Sequence, residues 1–420
     1  LTRGPHSRSG HFRGLGRLAA EATLGLTELV EEVHRTVSDA PAPLGVPPAT
    51  KTTSGITGAV YGSVRGVTRI VGSGVDAALA KLAPLLGELP PSPRREALVA
   101  VLNGVLGDYL EASDNPLAIP MRLKRNGVDL PDGPGALAAS LPAAAGGLVL
   151  VVHGLCMNDA GWSRDGHDHG LALERDLGLA SLHLVYNTGR HVSTNGRELS
   201  GLLESFLANA PVLPGGVSIV GHSMGGLVAR SALHCAAGSG HAWPALVRTV
   251  VCIGTPHHGA PLERLGNLFQ AALGASPWSL PFARLGKIRS AGITDLRHGS
   301  LLDDDWEDHD RFERHGDSRR LVPLPAGISW CTVAGTKAKE ATGPVDRLAG
   351  DGIVPVASAL GHHRDPERTL AFAPGREWVA PGTGHFDLLS SGAVYERVRR
   401  WLADVGAGGA AAPSPTERRA

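Results

Sequence analysis

Ser223 stands two residues after Gly221 and two before Gly225, with His222 and Met224 in between. An apolar, β-type run over 217–220 leads into it, and an apolar stretch with helical spacing begins at Met224-Gly225-Gly226. Strand, very tight turn and helix is the order that lifts a serine hydroxyl clear of the backbone, and side chains at the two glycines would collide with the facing chain. The start of the following helix favours negative charge beside that hydroxyl. A serine of ordinary pKa is a weak nucleophile, so the arrangement works only if a base, itself held by a third group, takes its proton. The chemistry in view is attack on an electrophilic carbon, a covalent intermediate and its release by water. In a chain with 56 glycines, glycines spaced this way around a serine are weak evidence alone, and a plain glycine-rich turn is the bland reading. The strand-like and helical flanks give the motif its weight.

The acid and the histidine should follow the serine in that order, from loops after later strands. Gly350-Asp351-Gly352-Ile353-Val354-Pro355 follows a strand expected over 328–334, and glycines on both sides let Asp351 project from a tight turn. Pro381-Gly382-Thr383-Gly384-His385 follows a strand expected over 377–380. Both sit past C-terminal strand ends, where open α/β sheets keep their ligands. Rivals exist among the 19 histidines. His222 adjoins the serine and should point elsewhere, His257 and His258 precede the acid, and His362 and His363 lie in a charged loop. Asp346 and Asp387 are the weaker candidates for the acid. Asp387 could instead hold the His385 loop or contribute to a metal site, but no second acidic cluster accompanies it, so neither metal nor cofactor is expected. A developing oxyanion needs two backbone donors. Met224 N–H comes with the elbow, and Leu155 N–H in His153-Gly154-Leu155 is the second candidate, with His153 bracing that loop.

The elements that must position these residues alternate. A hairpin is expected around Asn126-Gly127, strands over 148–152, 182–186 and 249–253, and helices over 168–177 and from the capping-box pattern Asn195-Gly196-Arg197-Glu198 to about 208. The run over 148–152 is apolar throughout, as in a central parallel strand buried on both faces. The fold class is α/β: a doubly wound, mostly parallel sheet over 119–403, an inserted helical cap over 261–324 and a closing helix over 392–402. Before it, 1–115 reads as a helical extension, with amphipathic stretches over 18–37 and 60–75 and a third helix over 94–110. Gly58, Gly62 and Gly66 allow close helix packing within it, and a membrane-surface helix is the alternative. From Asp404 to 420 the composition is that of a disordered tail.

Composition narrows the function classes. Forty basic and forty acidic residues in 420 leave no electrostatic case for nucleic acid. The four cysteines show no paired spacing, and buried free thiols are expected rather than a disulfide framework. No signal-peptide pattern and no uninterrupted apolar run of about eighteen residues occurs, so the expectation is cytoplasmic, with a stretch expected upstream of Leu1.

Taken together, His153-Gly154-Leu155, Tyr186-Asn187-Thr188-Gly189-Arg190, Gly221-His222-Ser223-Met224-Gly225, Gly254-Thr255-Pro256-His257-His258-Gly259, Asp351-Gly352-Ile353-Val354 and Gly384-His385 resemble bacterial α/β-hydrolases of the triacylglycerol-lipase and inositol-deacylase-like group. The resemblance covers about 119–403. It implies Ser223 as nucleophile, Asp351 as acid, His385 as base, and the amides of Leu155 and Met224 as oxyanion hole. True lipases of the group often carry calcium beside an acid placed as Asp387 is, but the second calcium acid is missing here. The expected activity is hydrolysis of a carboxylic ester, small or lipid-like, with peripheral contact to a lipid interface as the expected partner surface. A thioesterase or acyltransferase would use the same three side chains, and a non-catalytic binding protein on this fold is the alternative from another class.

Overall fold

The computed structural model describes residues 93–131, 133, 140–142, 145–208, 213–261, 290–307, 317–339 and 350–408. The amphipathic stretches expected over 18–37 and 60–75, and most of the expected cap, lie outside them. Two compact units are present. One comprises Pro93–Tyr109 and Ile119–Ala420; of the other, only Leu110–Ala118 is described. In that short piece Asn115 N–H donates to the Leu110 carbonyl and the Asn115 side chain accepts from Leu117 N–H, a compact turn.

The larger unit is built on eight strands: β1 (Arg122–Arg125), β2 (Val128–Asp129), β3 (Gly147–Val152), β4 (Leu179–Val185), β5 (Val217–His222), β6 (Val247–Ile253), β7 (Ser329–Gly335) and β8 (Glu377–Ala380). They lie side by side in the order β2-β1-β4-β3-β5-β6-β7-β8. From β4 across to β8 every pairing is parallel, and β1 runs against β4. The β1–β2 turn places Asn126 and Gly127 at φ 51° and 76°, the left-handed pair that an Asn-Gly hairpin requires. Every residue of β3 and of β5 is buried, as parallel strands covered on both faces must be.

Seven helices accompany the sheet among the described residues: α1 (Pro93–Ala112), α2 (His169–Leu177), α3 (Val192–Leu207), α4 (Met224–Ser239), α5 (Ala291–Asp295), α6 (Val356–Ala359) and α7 (Gly392–Gly408). Asp168 caps α2 by accepting from Leu171 N–H, and Gly178 ends it at φ 68°, a left-handed C-terminal stop. One face of the sheet presents Val149, Val151, Val220, Val251, Ile253 and Val333 to Trp162, Leu173 of α2, and Val394, Val398 and Trp401 of α7. Each such side chain contributes about 1.5–3 kcal/mol when fully buried. This core fixes the strand ends from which the candidate site projects.

Three elements differ from expectation. α3 starts at Val192, ahead of the Asn195 pattern, because the Asn195 side chain donates inward to the Asn187 carbonyl instead of capping. β4 starts at Leu179, directly after the Gly178 stop. α7 runs on to Gly408, past Asp404, whose carboxylate lies 3.6 Å from Arg376. All four cysteines are free; Cys156, Cys252 and Cys331 are buried and Cys235 is half-buried. Among the described residues no helix is long and apolar enough to cross a membrane.

Candidate active site

β5 ends at His222 and α4 begins at Met224, so Ser223 is the entire connection. Its backbone sits at φ 54°, ψ −123°, a strained conformation for a residue with a side chain. Ser223 N–H donates to the Ile253 carbonyl at 2.8 Å, and Ser223 O accepts from Gly226 N–H at 3.1 Å. Those two bonds hold the turn in place. A Cβ on Gly225 would lie 2.2 Å from the Val152 carbonyl oxygen, and one on Gly221 would lie 2.6 Å from Gly226 N. The start of α4 thus presses directly onto the end of β3.

That contact brings the loop after β3 to the serine. A Cβ on Gly154 would lie 2.9 Å from the Ser223 Cβ. Next to it, Leu155 N–H and Met224 N–H donate to nothing within the described fold. The loop itself is well fastened: Cys156 N–H donates to Thr188 Oγ1 at 3.2 Å, and Met157 N–H to the Gly154 carbonyl at 3.3 Å. His153 Nδ1–H donates to the Gly154 carbonyl at 3.0 Å, its ring stacks on Tyr186 at 4.5 Å, and the Tyr186 hydroxyl donates to the His153 carbonyl at 2.7 Å. Burial pushes the His153 imidazole down to about 4. It is a neutral brace at ordinary pH.

Asp351 and His385 meet across the loops after β7 and β8. The carboxylate Oδ2 accepts from His385 Nδ1 at 2.7 Å, while Oδ1 takes Ile353 N–H at 2.9 Å and Val354 N–H at 2.8 Å. Backbone bonds join the same loops, from His385 N–H to the Asp351 carbonyl at 3.1 Å and from Asp351 N–H to the Val354 carbonyl at 3.3 Å. Both side chains are almost wholly buried. With Nδ1–H committed to the carboxylate, Nε2 carries the ring's lone pair, and this buried atom has no partner among the described residues. Gly254, at φ 59°, lets β6 end against the pair: its Cβ would sit 3.3 Å from His385 Nδ1 and 3.4 Å from Asp351 Oδ2.

The structure brings Asp351 and His385 into direct contact and sets the Gly154 loop against Ser223. A hydrogen bond from Ser223 Oγ to His385 Nε2 is not formed. Of the rival residues, Asp387 accepts from Gly384 N–H at 3.2 Å, closing the turn that presents His385. His362 pairs with Glu377 at the surface, and His257 and His258 belong to another corner of the fold. Among the described residues no group of three or more His, Cys, Asp or Glu side chains could hold a metal ion.

One role escaped the sequence. His222 Nε2–H donates to the His385 carbonyl at 3.1 Å, with the two rings 4.7 Å apart. Burial, and after it the His385 ring, hold His222 well below the usual imidazole value. The residue beside the serine therefore fastens the backbone of the histidine loop. Adjacency to Ser223 was the only sequence signal for this.

Helix α1 reaches the same rim from outside the sheet. Asn187 Nδ2 donates to the Gly107 carbonyl at 2.8 Å and Ser290 Oγ to the Gly104 carbonyl at 2.6 Å. Asp108 accepts from Ala291 N–H at 3.0 Å, so α1 links the loop after β4 to α5.

Residues 144–339 match the model of a family described as PGAP1-like alpha/beta domain. A search of curated proteins gives no match. Solved structures similar to the chain include the mature form of the Bacillus licheniformis lipase BlEst2, with 19% identity over 63% of this chain and 94% of that one and a TM-score of 0.40. The Staphylococcus hyicus lipase aligns with 13% identity over 64% and 99%, with a TM-score of 0.37. A Pyrobaculum calidifontis esterase aligns with 15% identity over 77% and 100%, with a TM-score of 0.36. The doubly wound, mostly parallel α/β sheet expected from the sequence is present, and 144–339 are similar to that family's alpha/beta domain, in keeping with the resemblance drawn from the motifs.

Proposed function

We propose that the protein hydrolyses carboxylic esters, lipid-like ones in the first instance, with Ser223 as nucleophile, His385 as base and Asp351 as the acid behind it. The reading is carried by the buried Asp351–His385 pair, whose Nε2 is left with a lone pair and no partner among the described residues. Approach of substrate would complete the contact between Ser223 and His385, since catalytic hydrogen bonds often tighten only in the substrate complex.

His385 Nε2 would take the Ser223 proton as Oγ attacks the acyl carbonyl. Asp351 keeps the imidazole oriented and stabilises the imidazolium without itself taking the proton. The amides of Leu155 and Met224 face the developing oxyanion, at the loop that Gly154 brings against the serine and at the start of α4. His385 then returns its proton to the leaving alkoxide and activates a water that releases the acid from Ser223.

A fluorophosphonate probe should label the wild-type chain covalently, and Ser223→Ala should remove both the label and p-nitrophenyl ester turnover, a loss of about 10⁶-fold. Equal labelling of the variant would refute the serine's role. Esters of graded chain length, with and without an emulsified interface, test the lipid part of the proposal. Preference for short soluble esters with no interfacial gain would reduce it to a simple esterase.

A further inference from the structure

The turn that carries the Leu155 amide is held from behind, on the side away from the serine. Gly154-Leu155-Cys156-Met157 is closed by Met157 N–H donating to the Gly154 carbonyl at 3.3 Å. Its third residue, Cys156, lies at φ 63°, the left-handed position of a type II turn, where glycine is the usual occupant. A residue with a side chain stays in that conformation only when its surroundings hold it there. Two neighbours do so. Thr188 Oγ1, buried in the loop after β4, accepts from Cys156 N–H at 3.2 Å. Helix α1 receives the side chain: Cys156 Sγ lies 4.0 Å from the Val101 carbonyl oxygen. A Cβ on Gly104 would stand 2.2 Å from that sulfur and 3.0 Å from both Cα and N of Cys156.

α1 and the loop after β4 form one wall. A Cβ on Gly189 would lie 2.1 Å from the Asn103 carbonyl oxygen and 2.5 Å from Gly107 N, and one on Gly107 would lie 1.8 Å from Asn187 Oδ1. Backbone therefore meets backbone through glycines, and neither jaw on Cys156 can shift without the other. Type I and type II turns differ by reversal of their central peptide, here the one joining Leu155 to Cys156. Without the Thr188 acceptor, or with the sulfur pushed from its seat, Cys156 relaxes to negative φ by that reversal and Leu155 moves with it. On its other side Leu155 follows Gly154, which is pressed against Ser223. The residue that carries the amide is thus the one link between two anchors. α1 precedes the 144–339 segment that matches the family model, so one of those anchors is an addition to that domain.

We propose that Thr188 and α1, the latter through Gly104, are positioning elements of the oxyanion hole: they clamp Cys156 and so aim the Leu155 amide at the reacting carbonyl. Resting on Ser223 as nucleophile, the clamp makes turnover depend on a helix outside the matched domain.

Thr188→Val removes the hydroxyl at nearly constant shape, and Thr188→Ser keeps it. In p-nitrophenyl ester kinetics on the full chain, kcat should fall about tenfold in Thr188→Val with KM little changed, short of the 10²–10³ typical of a deleted donor. Thr188→Ser should return it to near the wild-type value. Inhibition by phenylboronic acid should weaken in step with kcat, because its tetrahedral adduct on the serine sets an oxygen in the oxyanion hole. Gly104→Ala tests the other jaw: its methyl displaces Cys156, and kcat should again drop about tenfold while circular dichroism melts show the fold retained. Should that variant not fold, the Thr188 pair still decides. Wild-type kcat in Thr188→Val, equal losses in Thr188→Val and Thr188→Ser, or a loss confined to KM would each overturn the clamp. A folded Gly104→Ala with wild-type turnover would remove α1 from it. Fluorophosphonate labelling of the wild-type chain is the separate control, since its absence defeats the nucleophile assignment and its presence leaves the clamp to be judged by these variants alone.

Discussion

Two buried histidines follow strands of the same sheet, His153 after β3 and His385 after β8, and they are alike in more than burial. Each donates from Nδ1, and each is left with a buried Nε2 that has no partner among the described residues. The tautomer is therefore the same in both. What differs is the acceptor behind the ring: a neutral carbonyl, Gly154, for His153, and the Asp351 carboxylate for His385. Protonating His153 would bury a cation against a peptide dipole, and its pKa is pushed down to about 4 accordingly. His385 instead has the Asp351 carboxylate 2.7 Å behind its Nδ1, the group that would orient it in the proposed reaction. The imidazole alone does not make a base; the group at its back does.

Removing the carboxylate's charge should erase most of that contrast. Asp351→Asn keeps the two backbone donors from Ile353 and Val354 but can present its amide N–H to His385 and turn over the tautomer. Ester turnover should fall about 10⁴-fold, with folding largely intact. Circular dichroism melts alongside p-nitrophenyl ester kinetics separate the two effects, and a loss below about tenfold would mean that Asp351 does not serve the base.

Acid should act mainly on the carbonyl-backed kind of histidine. His169, like His153, is buried, bonds a carbonyl (that of Leu388, at 2.9 Å) and is lowered to about 4. A histidine whose folded value lies below its unfolded value of about 6.5 binds fewer protons folded than unfolded in the interval between. Stability then falls as pH falls from about 6.5 towards 4. At pH 5 each of the two should cost about 2 kcal/mol relative to pH 8, roughly 4 kcal/mol together. Urea unfolding at the two pH values should show at least that loss, since His222, His257 and His258 are also held below the ordinary value, and an unchanged free energy would show that these rings are already charged or not buried in solution.

Much of this contrast could be read before any coordinates, because its parts are local. The elbow is a short-range pattern, β3 is apolar at every position, and the glycines flanking Asp351 mark a projecting turn. What stayed hidden depends on partners distant in the chain. Nothing near His153 announces the Tyr186 ring beneath it, and nothing near Cys156 announces Gly104 and Thr188. Asn195 looked like the start of a helix because Glu198 follows it at capping-box spacing. Its inward bond to the Asn187 carbonyl moved the start back to Val192, where Asp295 accepts from the Val192 N–H at 2.7 Å. The grip of α1 on the loop after β4 runs through Gly107 and Asn187, a contact between segments that no spacing rule connects.

The loop that His153 braces offers a smaller test. Adding a methyl at Gly154 would set a Cβ 2.9 Å from the Ser223 Cβ and 3.2 Å from His222 Nδ1. Relief requires moving the loop, and with it the Leu155 amide, away from the serine. Gly154→Ala should therefore lower kcat by about 10²-fold, the usual loss for one oxyanion donor, with KM little changed. Fluorophosphonate labelling should slow in parallel. Wild-type kinetics in this variant would place the second oxyanion donor elsewhere.

The smallest effect is expected at His153 itself, and it sharpens the comparison most. Phenylalanine keeps a flat ring on Tyr186 while losing the bond to the Gly154 carbonyl and the buried Nε2. If His153 only braces its loop, His153→Phe should cost less than about tenfold in turnover and leave the acid limb of the kcat/KM–pH profile where it was, since that limb reports the essential base. It should also recover about half of the acid sensitivity shared with His169, because the replaced group no longer takes up a proton on unfolding. A shift of the acid limb in His153→Phe, with none in Asp351→Asn, would exchange the roles of the two histidines: the base would then be the ring backed by a carbonyl, and the carboxylate behind His385 would serve only to hold two loops together.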